Sequence, residues 1–196
     1  MSKTPAEEHI SKPDCFASRI TGNGMVLGFV GVLLACVAVY SFTLPQITIC
    51  KKTTNTATAN NIESAVNNFH TEYGTMPDVK NHVTTDSAEG IKLLTILRGM
   101  ENPSTPMQNS RSINFLCVKE ARNKRDGMIY NKHGNSIEGL FDSWGNPYVI
   151  ELDTKNAGSL HFTHGNRTIE LKDRRVAVYS PGKDGKLGTR DDFTTW

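Results

Sequence analysis

The sequence predicts an α+β fold. A long N-terminal helix, transmembrane and then amphipathic, packs on a small C-terminal antiparallel sheet that is closed by an Asp/Gly loop. Three observations carry this prediction. No residue from Ile20 to Cys50 bears a charge. Between Ile62 and Tyr73 apolar residues recur at three- and four-residue steps, the period of an amphipathic helix. From Asp142 onward the period falls to two, as in strands, before the chain runs into the loop. Helices first and strands later is the order of an α+β domain.

The chain of 196 residues has room for one domain, or one domain plus an anchor, and at a net charge of +2 bulk electrostatics predicts neither nucleic-acid nor acidic partners. Mean hydropathy is −0.40, an average that hides two different parts. Residues 1–24 are polar, contain Pro5 and Pro13, and read as a leader or cytoplasmic segment. Residues 25–45 supply the roughly 20 apolar positions that a helix needs to cross a bilayer. A secretory signal peptide has a shorter apolar region of about 7–15 residues. Leu33-Leu-Ala-Cys36 mimics a lipoprotein processing site, but the apolar run continues past it to Leu44. Lys3, Lys12 and Arg19 before the span favour an N-terminus inside. Pro45 falls where it would kink or interrupt the helix.

Residues 46–196 form the expected globular domain. The helical pattern resumes with Ile62, Ala65, Val66, Phe69 and Tyr73, and Gly74 and Pro77 end it. A shorter helix is expected at 87–100, with Ile91, Leu94, Ile96 and Leu97 as its apolar side. Residues 101–114, rich in Pro, Ser and Asn, read as loop, and Phe115, Leu116 and Val118 as a short strand. Strands follow at 147–152, 160–162, 168–171 and 175–179, with a hairpin turn at Gly165-Asn166. The four cysteines, Cys15, Cys36, Cys50 and Cys117, make no disulfide framework.

The last seventeen residues, 180–196, pack three glycines and three aspartates into one loop. Asp184, Asp191 and Asp192 are candidate oxygen ligands for a hard cation, and calcium takes six to eight oxygens at about 2.3–2.6 Å. Gly182, Gly185 and Gly188 allow sharp turns. The D-x-[DN]-x-[DN]-G spacing of an EF-hand is absent, and Asp184-Gly185 is also an ordinary turn signal. Catalytic motifs are missing: there is no G-x-S-x-G and no Walker-type glycine loop. His161 and His164 bracket a strand as surface residues, and no C-x-x-C completes a zinc site with them. The basic run at 119–125 lacks the interleaved aromatics of a nucleic-acid stacking surface and reads as a solvated loop or partner surface.

Several local motifs resemble pseudopilins, most of all the major pseudopilin of type II secretion. Glu72-Tyr-Gly-Thr-Met-Pro77 resembles their helix exit. Asp142-Ser-Trp-Gly-Asn-Pro-Tyr148 resembles their D-x-W-G-x-P-Y segment. Ser180-Pro-Gly-Lys-Asp-Gly185, followed by Gly188-Thr-Arg-Asp-Asp192 and Trp196, is similar to their calcium loop. The resemblance covers roughly Met25 to Trp196. It implies a pilin-like fold and a structural role without catalysis. The implied protein is a calcium-stabilised subunit of a homo-oligomeric filament in the type II secretion system, supporting protein export across the outer membrane. Its implied partners are other pseudopilins and the inner-membrane platform, with residues 25–45 in the inner membrane, the globular domain periplasmic and no nucleic acid bound. Asp184, Asp191 and Asp192 match the acidic positions of the calcium loop, and backbone oxygens near Ser180 and Lys186 are further implied ligands. The N-terminus departs from the family: Gly24-Met25 mimics the processing site, but Phe29 stands where the family has a glutamate. A second reading is a single-span membrane protein whose periplasmic calcium-binding domain recognises a ligand or partner on its own.

Overall fold

Helix α1 (Gly22–Tyr73) takes its packing face from one stripe of small and apolar side chains. Ala59, Ile62, Ala65, Val66 and Phe69 are all buried, at the spacing that keeps them on one side of a 3.6-residue helix. Each large one contributes about 1.5–3 kcal/mol by leaving water. Gly74 ends the helix with a positive φ of 71° and donates its N–H to the His70 carbonyl at 2.8 Å. The computed structural model describes the backbone of residues 22–196 and the side chains of Val32, Cys36 and residues 49–196. The chain divides into two units, residues 1–46 and 47–196, and α1 contributes to both. The helical range runs through Pro45, which the sequence reading expects to interrupt it.

Within the second unit, strand β1 (His82–Thr84) leads into helix α2 (Ala88–Leu97). Ser87 caps α2 by accepting the Gly90 N–H at 3.1 Å. The helix then buries Leu93, Leu94, Ile96 and Leu97. Gly90 sits so close to β1 that a Cβ there would meet the Thr84 carbonyl oxygen at 1.9 Å. Residues 115–118, expected as a short strand, do not form one. Phe115 and Leu116 both donate to the Leu97 carbonyl and so finish α2, while Leu116 fills the core.

Six further strands follow: β2 (Gly127–Tyr130), β3 (Ile137–Phe141), β4 (Val149–Leu152), β5 (Ser159–His164), β6 (Arg167–Lys172) and β7 (Val176–Ser180), and then the short β8 (Phe193–Thr194) closes the chain. They form an antiparallel four-stranded sheet in the order β1-β4-β7-β8 and two separate pairs, β2-β3 and β5-β6. The expected strands at 147–152, 160–162, 168–171 and 175–179 fall on β4, β5, β6 and β7. The hairpin turn is at Gly165-Asn166, with His164 facing Arg167. Strands β4 and β7 are buried along their whole length, so Glu151 lies inside. There it accepts from the Tyr179 hydroxyl at 2.9 Å and lies 2.7 Å from His82 Nδ1.

This architecture corrects the predicted one. The expected fold is a pilin-like long helix, transmembrane and then amphipathic, on one small sheet. The protein is instead sheet-rich, with its strands divided among three antiparallel sheets. The strands are short, two to six residues each, and β2 and β3 carry Gly127 and Gly139 at positive φ. Among the described residues no helix is long and apolar enough to cross a membrane. The transmembrane helix expected at 25–45, and the single-pass inner-membrane placement that rests on it, are therefore withdrawn. From Lys51 onward α1 is polar apart from its packing stripe, carrying Lys51, Lys52, Asn60, Asn61 and Glu63, and such groups are costly to take out of water. Most side chains of 25–45, and the expected leader up to residue 21, lie outside the described residues.

Candidate metal centre

The terminal loop is held from beneath by a buried carboxylate. Asp142 follows β3 and opens a tight turn. Its Oδ1 accepts the backbone N–H groups of Trp144, Gly145 and Asn146 at 2.8, 2.7 and 2.9 Å. Aspartate stabilises such a turn because its short side chain reaches back to the following amides. Oδ2 accepts the Ser180 hydroxyl at 2.7 Å and the Asn146 side-chain amide at 3.2 Å. The same Asn146 amide donates to the Gly182 carbonyl at 2.5 Å. The D-x-W-G-x-P-Y turn and the start of the Asp/Gly loop are thus one hydrogen-bonded piece.

From there the loop coils on itself. Gly182 has φ 69°, and a Cβ on it would meet the Asp191 carbonyl oxygen at 2.2 Å. Only glycine allows the two limbs to approach this closely. The approach brings carboxylate oxygens of Asp184, Asp191 and Asp192 within 4.8 Å of one another. Two oxygens bound to one calcium ion at about 2.3–2.6 Å can stand no more than about 5 Å apart. The three side chains therefore fit a single hard cation, and their donor chemistry is all oxygen. The loop's own donors already gather on these groups. Asp184 N–H donates to Asp191 at 2.9 Å, Lys186 N–H to Asp184 at 2.8 Å and Gly188 N–H to Asp192 at 2.6 Å. The Thr189 hydroxyl lies between Asp191 and Asp192, at 2.7 and 3.1 Å. That hydroxyl first, and then backbone N–H groups, hold the Asp191 carboxyl below the ordinary aspartate range.

The other two expected ligands are backbone oxygens, near Ser180 and Lys186, and the side chains of these residues lie apart from the cluster. Ser180 is fully buried at the end of β7, and its hydroxyl is committed to Asp142. Lys186 is exposed; its N–H is bound to Asp184 and its carbonyl accepts weakly from Thr189 at 3.4 Å. Neither side chain belongs to the acidic cluster.

His164, expected at the surface, is buried instead, with Nε2 at 2.6 Å from Asp192 Oδ2. It ties β5 to the loop. Around it Phe162, Tyr179 and Trp196 pack as a box. Phe162 lies parallel to Tyr179 at 5.8 Å, and Trp196 meets His164 and Tyr179 edge-on at 5.5 and 5.6 Å. The terminal tryptophan thus backs the loop as apolar packing, an arrangement aromatic rings favour. His161 is exposed, as expected. Sequence reasoning passes over Asp142, Asn146, Thr189 and His164 as parts of this centre. The signal for Asp142 is its place two and three residues before Trp144 and Gly145, the spacing of an aspartate-capped turn. For His164 no local signal exists, because its partner arrives from the far end of the chain. No protein-family model, curated protein or solved structure matches this chain, so the resemblance to pseudopilins has no counterpart among known relatives.

Proposed function

We propose that the protein is a structural subunit that works by assembly and not by catalysis, and that a calcium ion held by Asp184, Asp191 and Asp192 stabilises its globular unit. The observation that carries this reading is the convergence of the three carboxylates within 4.8 Å of one another on a loop whose glycines set that approach. The local resemblance to the pseudopilin calcium loop supports the choice of calcium and of an assembling subunit. An ion there would offset the mutual repulsion of the carboxylates and lock the segment that covers His164 and Trp196. Membrane anchoring is no part of the proposal.

The test is thermal unfolding of the full chain with millimolar calcium, with magnesium and with chelator. A ligand that binds only the native state raises stability by RT ln(1 + [L]/Kd), about 2.7 kcal/mol at a hundredfold excess over Kd. The expected result is a higher midpoint in calcium than in magnesium or chelator, with the difference lost in Asp191→Asn. An unchanged midpoint at millimolar calcium removes the metal from the reading.

A further inference from the structure

Beside the loop lies a groove of about 340 Å³ lined by Lys52, Trp144, Lys183, Arg190, Asp191 and Phe193. Its floor is aromatic: Trp144 and Phe193 stack in parallel, with centroids 5.5 Å apart. Its rim is cationic. Lys52, Lys183 and Arg190 are exposed, and Lys51 stands over the Trp144 ring at 5.6 Å. The basic run at 119–125 reaches the same turn, since a Cβ on Gly145 would lie 2.7 Å from the Lys124 carbonyl oxygen and 3.5 Å from the Arg125 side chain. Among the described residues none of Lys51, Lys52, Lys124, Arg125, Lys183 and Arg190 forms an ion pair. Asp191 is the one carboxylate in the lining, and its oxygens are engaged by Thr189 and the Asp184 N–H.

These cations form no ion pair among the described residues, although Asp191 in the lining stands with Asp184 and Asp192 in a carboxylate cluster whose oxygens lie within 4.8 Å of one another. Cations without an ion pair around an aromatic floor are complementary to a segment that carries carboxylates and one apolar side chain. A nucleic-acid strand fits less well, because bases need an open ring face to stack on. Here Phe193 covers one face of Trp144 and the Lys51 ammonium stands over the ring. We propose that this groove docks an acidic peptide segment of a partner protein, with an apolar residue seated against the Trp144–Phe193 stack and flanking carboxylates on Lys52, Lys183 and Arg190. Lys183, Arg190, Asp191 and Phe193 belong to the carboxylate loop, and only Lys52 and Trp144 of the lining lie outside it.

The test is fluorescence anisotropy of a labelled short peptide alternating Glu and Leu, titrated with the full chain. Saturable binding is expected, weakened at least about tenfold when Gln replaces Glu, when Ser replaces Leu, or when salt is raised. The double variant Lys52→Glu, Lys183→Glu changes two exposed side chains. It should lose the Glu/Leu peptide and gain binding to a Lys/Leu peptide, a gain that only a folded groove can show. Equal binding of the Gln/Leu peptide, indifference to the charge reversal, or capture of oligothymidylate or anionic vesicles without capture of the peptide would overturn the proposal.

Discussion

Asp142 carries more of the candidate centre than any of the three loop aspartates, although it is not one of the expected ligands. Its buried carboxylate accepts from three backbone N–H groups, the Ser180 hydroxyl and the Asn146 amide. Charge-assisted bonds of this kind are strong, and a donor left without a partner costs about 1–3 kcal/mol. Asp142→Ala strands several such donors at once beneath the loop. The expected loss is about 3–5 kcal/mol, the range for breaking a buried charged network. Asp142→Asn keeps an oxygen for the turn but sets an amide nitrogen against the Asn146 amide, and should cost about 1–3 kcal/mol. Urea unfolding of the three proteins decides this. A loss below about 1 kcal/mol in the alanine variant would mean that water replaces the carboxylate, and that the turn and loop are not held as one piece.

At the scale of elements, the contact of α2 with β1 leaves no room for a side chain at Gly90. In an exposed helix, alanine in place of glycine gains about 1 kcal/mol. At position 90 the added Cβ would stand 1.9 Å from a backbone oxygen of Thr84. The helix must move off the sheet, and its buried leucines with it. Gly90→Ala should therefore destabilise by about 1–3 kcal/mol, in the overpacking range, and a raised melting midpoint would show that α2 is free to slide. The same packing explains what was legible in the sequence. Helix α1 beyond residue 50, α2 and strands β4 to β7 could be read, because each carries its own periodicity or turn. Strands β1 and β8, of three and two residues, are too short to show a period. Strands β2 and β3 carry Gly127 and Gly139 at positive φ and a register shift between Ile129 and Tyr130. Leu116 reads as strand because it is apolar, yet its N–H serves the end of α2. The carboxylate cluster was legible because its glycines and acids are neighbours in sequence. His164 was not, since its partner Asp192 comes from a distant segment, and the local signal of Asp142, an aspartate capping the turn that follows it, shows its turn but not its bond to Ser180. The transmembrane reading rested on residues 25–45 alone, and the described residues do not support it.

At the scale of the whole molecule, two buried tyrosines join the sheet to its neighbours and give the fold a weak side at high pH. Tyr148 is 1 % exposed and its hydroxyl donates to the Asn55 carbonyl of α1 at 3.4 Å. Tyr179, on β7, donates to Glu151 at 2.9 Å and forms one wall of the box behind the carboxylate loop. Burial raises both phenols well above the ordinary tyrosine value, and the Glu151 charge raises Tyr179 further. A raised folded-state value means that the native protein keeps a proton which the unfolded chain releases. The stabilisation is whole below the unfolded tyrosine value of about 10 and is lost as pH climbs above it. Each tyrosine then removes up to about 1.4 kcal/mol per pH unit. Melting midpoints measured from neutral pH upward should hold steady in this respect to about pH 10 and then fall steeply. Tyr179→Phe keeps the ring in the box and cannot ionise, so its midpoint should start lower, having lost the bond to Glu151, and decline less steeply above that pH. Parallel slopes in parent and variant would show that the alkaline transition begins elsewhere than at this tyrosine.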